Sequence, residues 1–191
     1  MSSDEVISMF REAGALLEGH FVYASGRHGS QFIQAARVMQ HPDKLARLCA
    51  GLADPFRDAG VELVVGPATG GIILAYETAR QLGCRAAFVE KDPDGGMSLK
   101  RGFALPEGTR VLAVEDIVTT GGSVKKAIGH LRERGAEIVG LSVLIDRSSG
   151  EASFDCPFHA LAELAMKSYA PDDPAISELE GPPMDPDDLI V

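Results

Sequence analysis

The sequence predicts an α/β domain built on a central parallel sheet flanked by helices. Two passages carry that expectation. Val61-Glu62-Leu63-Val64-Val65 reads as a buried strand, a glycine-rich turn spans Gly66 to Gly71, and Ile72–Leu82 follows at helical spacing. Arg110–Glu115 then repeats the apolar run, and Gly122–Arg134 places Val124, Ala127, Ile128 and Leu131 on one helical face. Strand, turn and helix in that order, twice, belong to parallel sheets, in which ligands bind beyond the carboxyl ends of the strands.

The other elements fill in around this pair. Val6, Ile7, Phe10, Ala13, Leu16 and Leu17 predict an amphipathic helix over residues 3–18. Short β segments are expected near Phe21–Ala24 and Phe32–Ala36, turning at Ser25-Gly26-Arg27-His28-Gly29, and a helix over Pro42–Ala59 ends at Gly60. Gly83 stops the Ile72–Leu82 helix. Ala86–Glu90 is a strand, Lys91–Arg101 a polar loop, and Glu137–Ile145 and Phe158–Leu164 are further strands.

Composition limits the function classes. With 191 residues and 45% hydrophobic content the chain can bury one sizeable core. No apolar run is long enough to span a bilayer, so no membrane partner is expected. The acidic start, Met1-Ser2-Ser3-Asp4-Glu5, lacks the basic region of a secretory leader, and a cytoplasmic location is expected. Cys49, Cys84 and Cys156 are too scattered for a disulfide framework or zinc site. The net charge of −10 is uneven: Asp172, Asp173, Glu178, Glu180, Asp185, Asp187 and Asp188 lie after Pro171, where no lysine or arginine occurs. The expected domain is therefore residues 1–170, with an acidic, proline-rich arm over 171–191. Neither part offers the basic stripe that nucleic acid requires.

The segment with chemistry in it is Val114–Ser123. A buried strand delivers Glu115 and Asp116, and Ile117, Val118, Thr119, Thr120, Gly121 and Gly122 lead to Ser123 at a helix start. Glycines let backbone N–H groups turn around an anion, hydroxyls add donors, and the helix N-terminus adds partial positive charge. A P-loop would place a lysine here, and this loop has none. Carboxylates beside a phosphate repel it unless they take hydrogen bonds from hydroxyls or bind a cation; a ribose 5-phosphate satisfies both halves of the loop. The plainer alternative is an Asp-bearing turn with a Ser/Thr helix cap.

This stretch resembles the signature of type I phosphoribosyltransferases, and the orotate phosphoribosyltransferases in particular. Ser25-Gly26-Arg27-His28 and Phe32-Ile33-Gln34-Ala35-Ala36-Arg37 resemble the orotate-site segment of that family, Gly66-Pro67-Ala68-Thr69-Gly70-Gly71-Ile72 its pyrophosphate loop, and Gly96–Phe103 the lid of a short-lid bacterial branch. The resemblance implies the type I fold with a small N-terminal hood over residues 1–40. It implies transfer from 5-phosphoribosyl 1-pyrophosphate (PRPP) to orotate, with Mg²⁺ carried by PRPP rather than by direct protein ligands. Glu115 and Asp116 would hold the ribose hydroxyls and Thr119–Ser123 the 5′-phosphate. Thr119 and Arg147 would contact orotate, Phe32 and Ile33 would pack on its ring, and Lys91 would be the lid cation ahead of Lys100 and Arg101. A homodimer is expected by the same resemblance. A transferase for a purine base, and a sensor that has lost turnover, remain as alternatives.

The chain departs from the family pattern in places. The lid has twelve residues between Glu90 and Phe103 and no histidine. Thr69-Gly70 replaces a bulky residue and a lysine, Ala24 stands where some relatives have lysine, and Gly29 where serine is usual. His20 and His28 are expected to be structural.

Overall fold

The computed structural model describes residues 1–23 and 25–186; Ala24 and the end of the arm, with Asp187 and Asp188, lie outside the described residues. In chain order the elements are α1 (Ser3–Glu12), β1 (Leu16–Val22), β2 (His28–Ile33), α2 (Ala36–Met39), α3 (Pro42–Ala53), β3 (Leu63–Pro67), α4 (Gly70–Leu82) and β4 (Arg85–Lys91). They continue with β5 (Met97–Leu99), β6 (Arg110–Val118), α5 (Gly122–Glu133), β7 (Glu137–Asp146) and β8 (Phe158–Glu163).

Six strands form the main sheet in the order β5-β4-β3-β6-β7-β8. Neighbours run parallel except β4 and β5, which pair antiparallel, so the sheet is mixed at one edge. The Lys91–Arg101 segment, expected as an irregular loop, is thus a short hairpin. Gly95 and Gly96 close it, with Asp92 N–H on Gly96 O at 2.9 Å and Gly95 N–H on Asp92 O at 2.9 Å.

Strand alternation divides the core between the two faces of the sheet. Val64, Leu112, Val114 and Leu144 pack with Phe10, Leu48, Leu52 and Leu74 on the α1, α3 and α4 side. Leu63, Val65 and Val111 meet Ala127 and Leu131 of α5 on the other, and Ala113, Leu141 and Val143 meet Val124 and Ile128. Central strands buried on both faces read as unbroken apolar runs, which is why β3 and β6 were the clearest elements in the sequence.

Boundaries moved where a local stop overrode periodicity. A Ser2/Glu5 capping box starts α1, but it ends at Glu12 because Gly14 takes φ 62°, and Leu16–Val22 becomes a strand instead. Helix α3 ends at Ala53, and Asp54–Phe56 with Pro55 forms a 3₁₀ turn. Strand β6 runs on to Val118 because β7 pairs with it as far as Val118↔Asp146.

Strands β1 and β2 make a separate hairpin, the hood. Later segments bond to both of its edges. His28 exchanges two backbone bonds with Tyr169, at 2.9 and 2.8 Å, while Val22 N–H meets Met184 O and Met184 N–H meets His20 O, each at 2.9 Å. Inside the hairpin His20 Nε2 lies 2.7 Å from His28 Nδ1, tying the strands together. The arm also carries a 3₁₀ turn, Pro174–Glu178, capped by Asp173. No helix among the described residues is long and apolar enough to cross a membrane.

Candidate active site

The carboxyl ends of β3 and β6 open into a cavity of about 310 Å³, lined by Pro67–Gly70, Met97 and the whole of Glu115–Val124. Gly121 starts α5 in the left-handed region, φ 74°, so the turn presents the helix N-terminus to the cavity. Thr119, Thr120, Gly122 and Ser123 are exposed on this turn. Phe154 braces it from behind: a Cβ on Gly121 would lie 2.8 Å from the Phe154 ring, and Lys125 Nζ sits 5.4 Å above that ring.

The opposite wall is acidic. Glu115 is 9% exposed and Asp116 is partly buried. Asp116 Oδ1 accepts from Ile117 N–H at 2.7 Å, and Glu115 Oε1 from Asp116 N–H at 3.2 Å. Burial raises Glu115 above the ordinary carboxylate range, and the Asp116 charge adds to the rise; Asp116 is raised by burial as well. No described cation pairs with either acid. Burial thus disfavours full ionisation of this pair, a cost that a ligand's hydroxyls, or a cation brought with the ligand, would relieve. Gly70 lets the pyrophosphate-loop candidate approach this wall, since a Cβ there would fall 2.5 Å from Asp116 Oδ2.

The structure thus brings together Glu115 through Ser123 as expected from their order in the chain. Lys91 lies at the end of β4, exposed, and its side chain forms no ion pair with a described residue. Its two competitors are occupied: Lys100 Nζ is 2.8 Å from Asp92, and Arg101 is bidentate on Glu90 with its shorter contact 2.6 Å. Arg147 follows β7, its N–H donating to Val118 O at 2.7 Å, so it sits beside the last residue of β6. Its Nε is buried with no hydrogen-bond partner among the described residues.

Phe32 and Ile33 cannot offer their side chains to one ring. Consecutive strand residues face opposite ways. Ile33 is 3% exposed inside the main core, while Phe32 is half-buried with its ring centroid 5.8 Å from that of Phe21. The expected packing of Ile33 on the base gives way to a core role. Sequence reasoning missed Met97 and Phe154, and also Tyr23, over whose ring Arg147 is stacked. None stands in a motif, and only the long-range fold brings Met97 to the cavity, Phe154 behind Gly121 and Tyr23 beneath Arg147.

The phosphoribosyl transferase domain model matches residues 34–159, which spans the cavity and the sheet under it. An orotate phosphoribosyltransferase of Methylobacterium is 50% identical over 90% of this chain and 89% of its own length. The chain belongs to the phosphoribosyltransferase family, in its orotate phosphoribosyltransferase branch. A second such enzyme, from Desulforamulus reducens, is 45% identical over 90% of each chain. Among solved structures, the orotate phosphoribosyltransferase of Aeropyrum pernix aligns with a TM-score of 0.71 at 28% identity, covering 83% of this chain and 93% of that one. The family's fold agrees with the mixed sheet and flanking helices described above.

Proposed function

We propose that this chain transfers the ribose 5-phosphate of PRPP to orotate, giving orotidine 5′-monophosphate and pyrophosphate. One observation supports the reading most: a buried acid pair without a countercharge is joined, within one strand and turn, to an anion-binding helix start. The N–H groups and hydroxyls of Thr119–Ser123 hold the 5′-phosphate, as a helix N-terminus holds an anion. Glu115 and Asp116 accept hydrogen bonds from the ribose hydroxyls, which restores to the acids the partners that burial took from them. This fixes the sugar while its anomeric carbon loses pyrophosphate and gains the ring nitrogen, a step helped chiefly by positioning.

Positive charge develops on the sugar as the leaving group departs, and the same acids stand close to it. Lys91, which forms no ion pair with a described residue, is the lid-hairpin cation assigned to the leaving pyrophosphate. Mg²⁺ carried by PRPP would neutralise charge on the departing pyrophosphate, with Glu115 and Asp116 the carboxylates of the cavity wall. Arg147 pairs with the orotate carboxylate, a bidentate match for a guanidinium, and Thr119 and Phe32 border the base.

A homodimer fits the surface of α4, where Ile73 is 43% and Tyr76 63% exposed. Cys49, Cys84 and Cys156 are all free thiols, in keeping with a cytoplasmic protein. The deciding assay follows orotate loss with purified protein, PRPP and Mg²⁺, repeated with purine bases and without Mg²⁺. Orotate loss that requires Mg²⁺ is expected. Turnover of a purine instead, or thermal stabilisation by PRPP with turnover of no base, would replace this reading with a sister transferase or a sensor.

A further inference from the structure

We propose that Tyr23 is a positioning residue that fixes the Arg147 guanidinium for the carboxylate of the base, an inference that rests on Arg147 being that carboxylate's partner. Arg147 Cζ lies 5.7 Å from the centroid of the Tyr23 ring. That distance is within the range at which the negative face of an aromatic ring attracts a guanidinium. Arg147 Nε is buried and has no described acceptor, and the guanidinium meets Tyr23 both at the ring face and through a hydrogen bond to its hydroxyl. A free arginine side chain loses considerable rotamer entropy on binding an anion. One already stacked in place has given up much of that freedom beforehand.

The ring is itself held from two directions. Its hydroxyl donates to the Gln31 carbonyl at 2.6 Å, across the hood hairpin. Burial raises the phenol above its ordinary value, with the Arg147 charge opposing, so the proton for that bond stays in place. Gly29 completes the seat. A Cβ at this position would lie 2.0 Å from the Tyr23 hydroxyl oxygen and 2.7 Å from the ring carbon that bears it. Gly29 has no left-handed backbone angle, so space rather than conformation requires glycine here. The departure at position 29 noted in the sequence thereby acquires a physical reason: a serine there would push the Tyr23 ring out of this seat.

The test is steady-state kinetics on the full chain, varying orotate at saturating PRPP and the reverse, with melting temperatures recorded alongside. Tyr23→Leu removes the π-face and should raise the KM for orotate about tenfold, with the KM for PRPP within about twofold of wild type. Tyr23→Phe keeps the ring and loses the Gln31 tether together with the hydroxyl's hydrogen bond to Arg147, so a rise of about threefold is expected, with little risk to folding. With Arg147→Ala already present, Tyr23→Leu should add less than about twofold. Gly29→Ser should match Tyr23→Leu alone and add nothing to it. Equal rises in both KM values, or full additivity with Arg147→Ala, would overturn the positioning role. An unchanged orotate KM in Arg147→Ala by itself would instead overturn the carboxylate reading on which the role depends.

Discussion

The two sides of the proposed site, a phosphate side and a base side, are constructed in different ways. On the phosphate side every polar group comes from one uninterrupted stretch, Glu115–Ser123, and its shape follows from a strand ending in a glycine turn and a helix start. On the base side, Arg147 comes from the end of β7, while Tyr23, Gly29 and Gln31 come from the hood more than a hundred positions earlier. A contiguous site depends on local geometry, so it tolerates change elsewhere in the fold. A dispersed site depends on how two parts of the molecule are seated, and a change in either part is felt at the ligand.

The sharpest separation of the two sides is expected from one substitution on each. Asp116→Asn removes a charge from the ribose wall and should lower kcat/KM for PRPP about a hundredfold, with an unchanged circular dichroism spectrum. A near-normal value would remove the ribose role from this residue. Next in size, Arg147→Ala should raise the KM for orotate about thirtyfold and leave that for PRPP nearly unchanged. An equal shift in both would mean that the two sides are not independent.

The lid gives a smaller and more selective effect. Lys91→Ala should reduce turnover about tenfold, because its ammonium has no described acid to hold it away from the leaving group. Lys100→Ala and Arg101→Ala should each cost less than about threefold, since their charges are already matched by Asp92 and Glu90. Comparing initial rates of the three variants at fixed PRPP decides the order.

The smallest effect concerns stability and has the opposite sign. A carboxyl whose folded pKa lies above its unfolded value keeps its proton better when folded, so the ligand-free protein loses stability as pH rises above the ordinary carboxylate range. Glu115→Gln should therefore raise the melting temperature of the ligand-free protein by about 3 °C at neutral pH, and by less in acid, while weakening PRPP binding. A lower melting temperature at every pH would show that the acid contributes to the fold itself.

The same contrast explains what could be read in the sequence. Glu115, Asp116 and the Thr119–Ser123 turn were legible because they are consecutive and follow an unmistakable buried strand. So was most of the sheet, where apolar runs allow one interpretation. The first helix was overextended because Leu16 and Leu17 continue its spacing, and only the left-handed angle at Gly14 stops it. Ile33 was paired with Phe32 at the base by the family resemblance, whereas neighbours in a strand face opposite ways and Ile33 packs in the core. Tyr23 was invisible, since nothing local links it to Arg147.

The arm gives the molecule an order of completion. Everything the phosphate side needs in sequence has been made once α5 and its partner strand exist, well before the last residues. The hood hairpin is local in sequence, yet its two edges are paired by Tyr169 and Met184 from the far end of the described chain. Shortening the chain from that end past Tyr169 would therefore strip backbone partners from His20, Val22 and His28 while leaving the Glu115–Ser123 turn covalently whole.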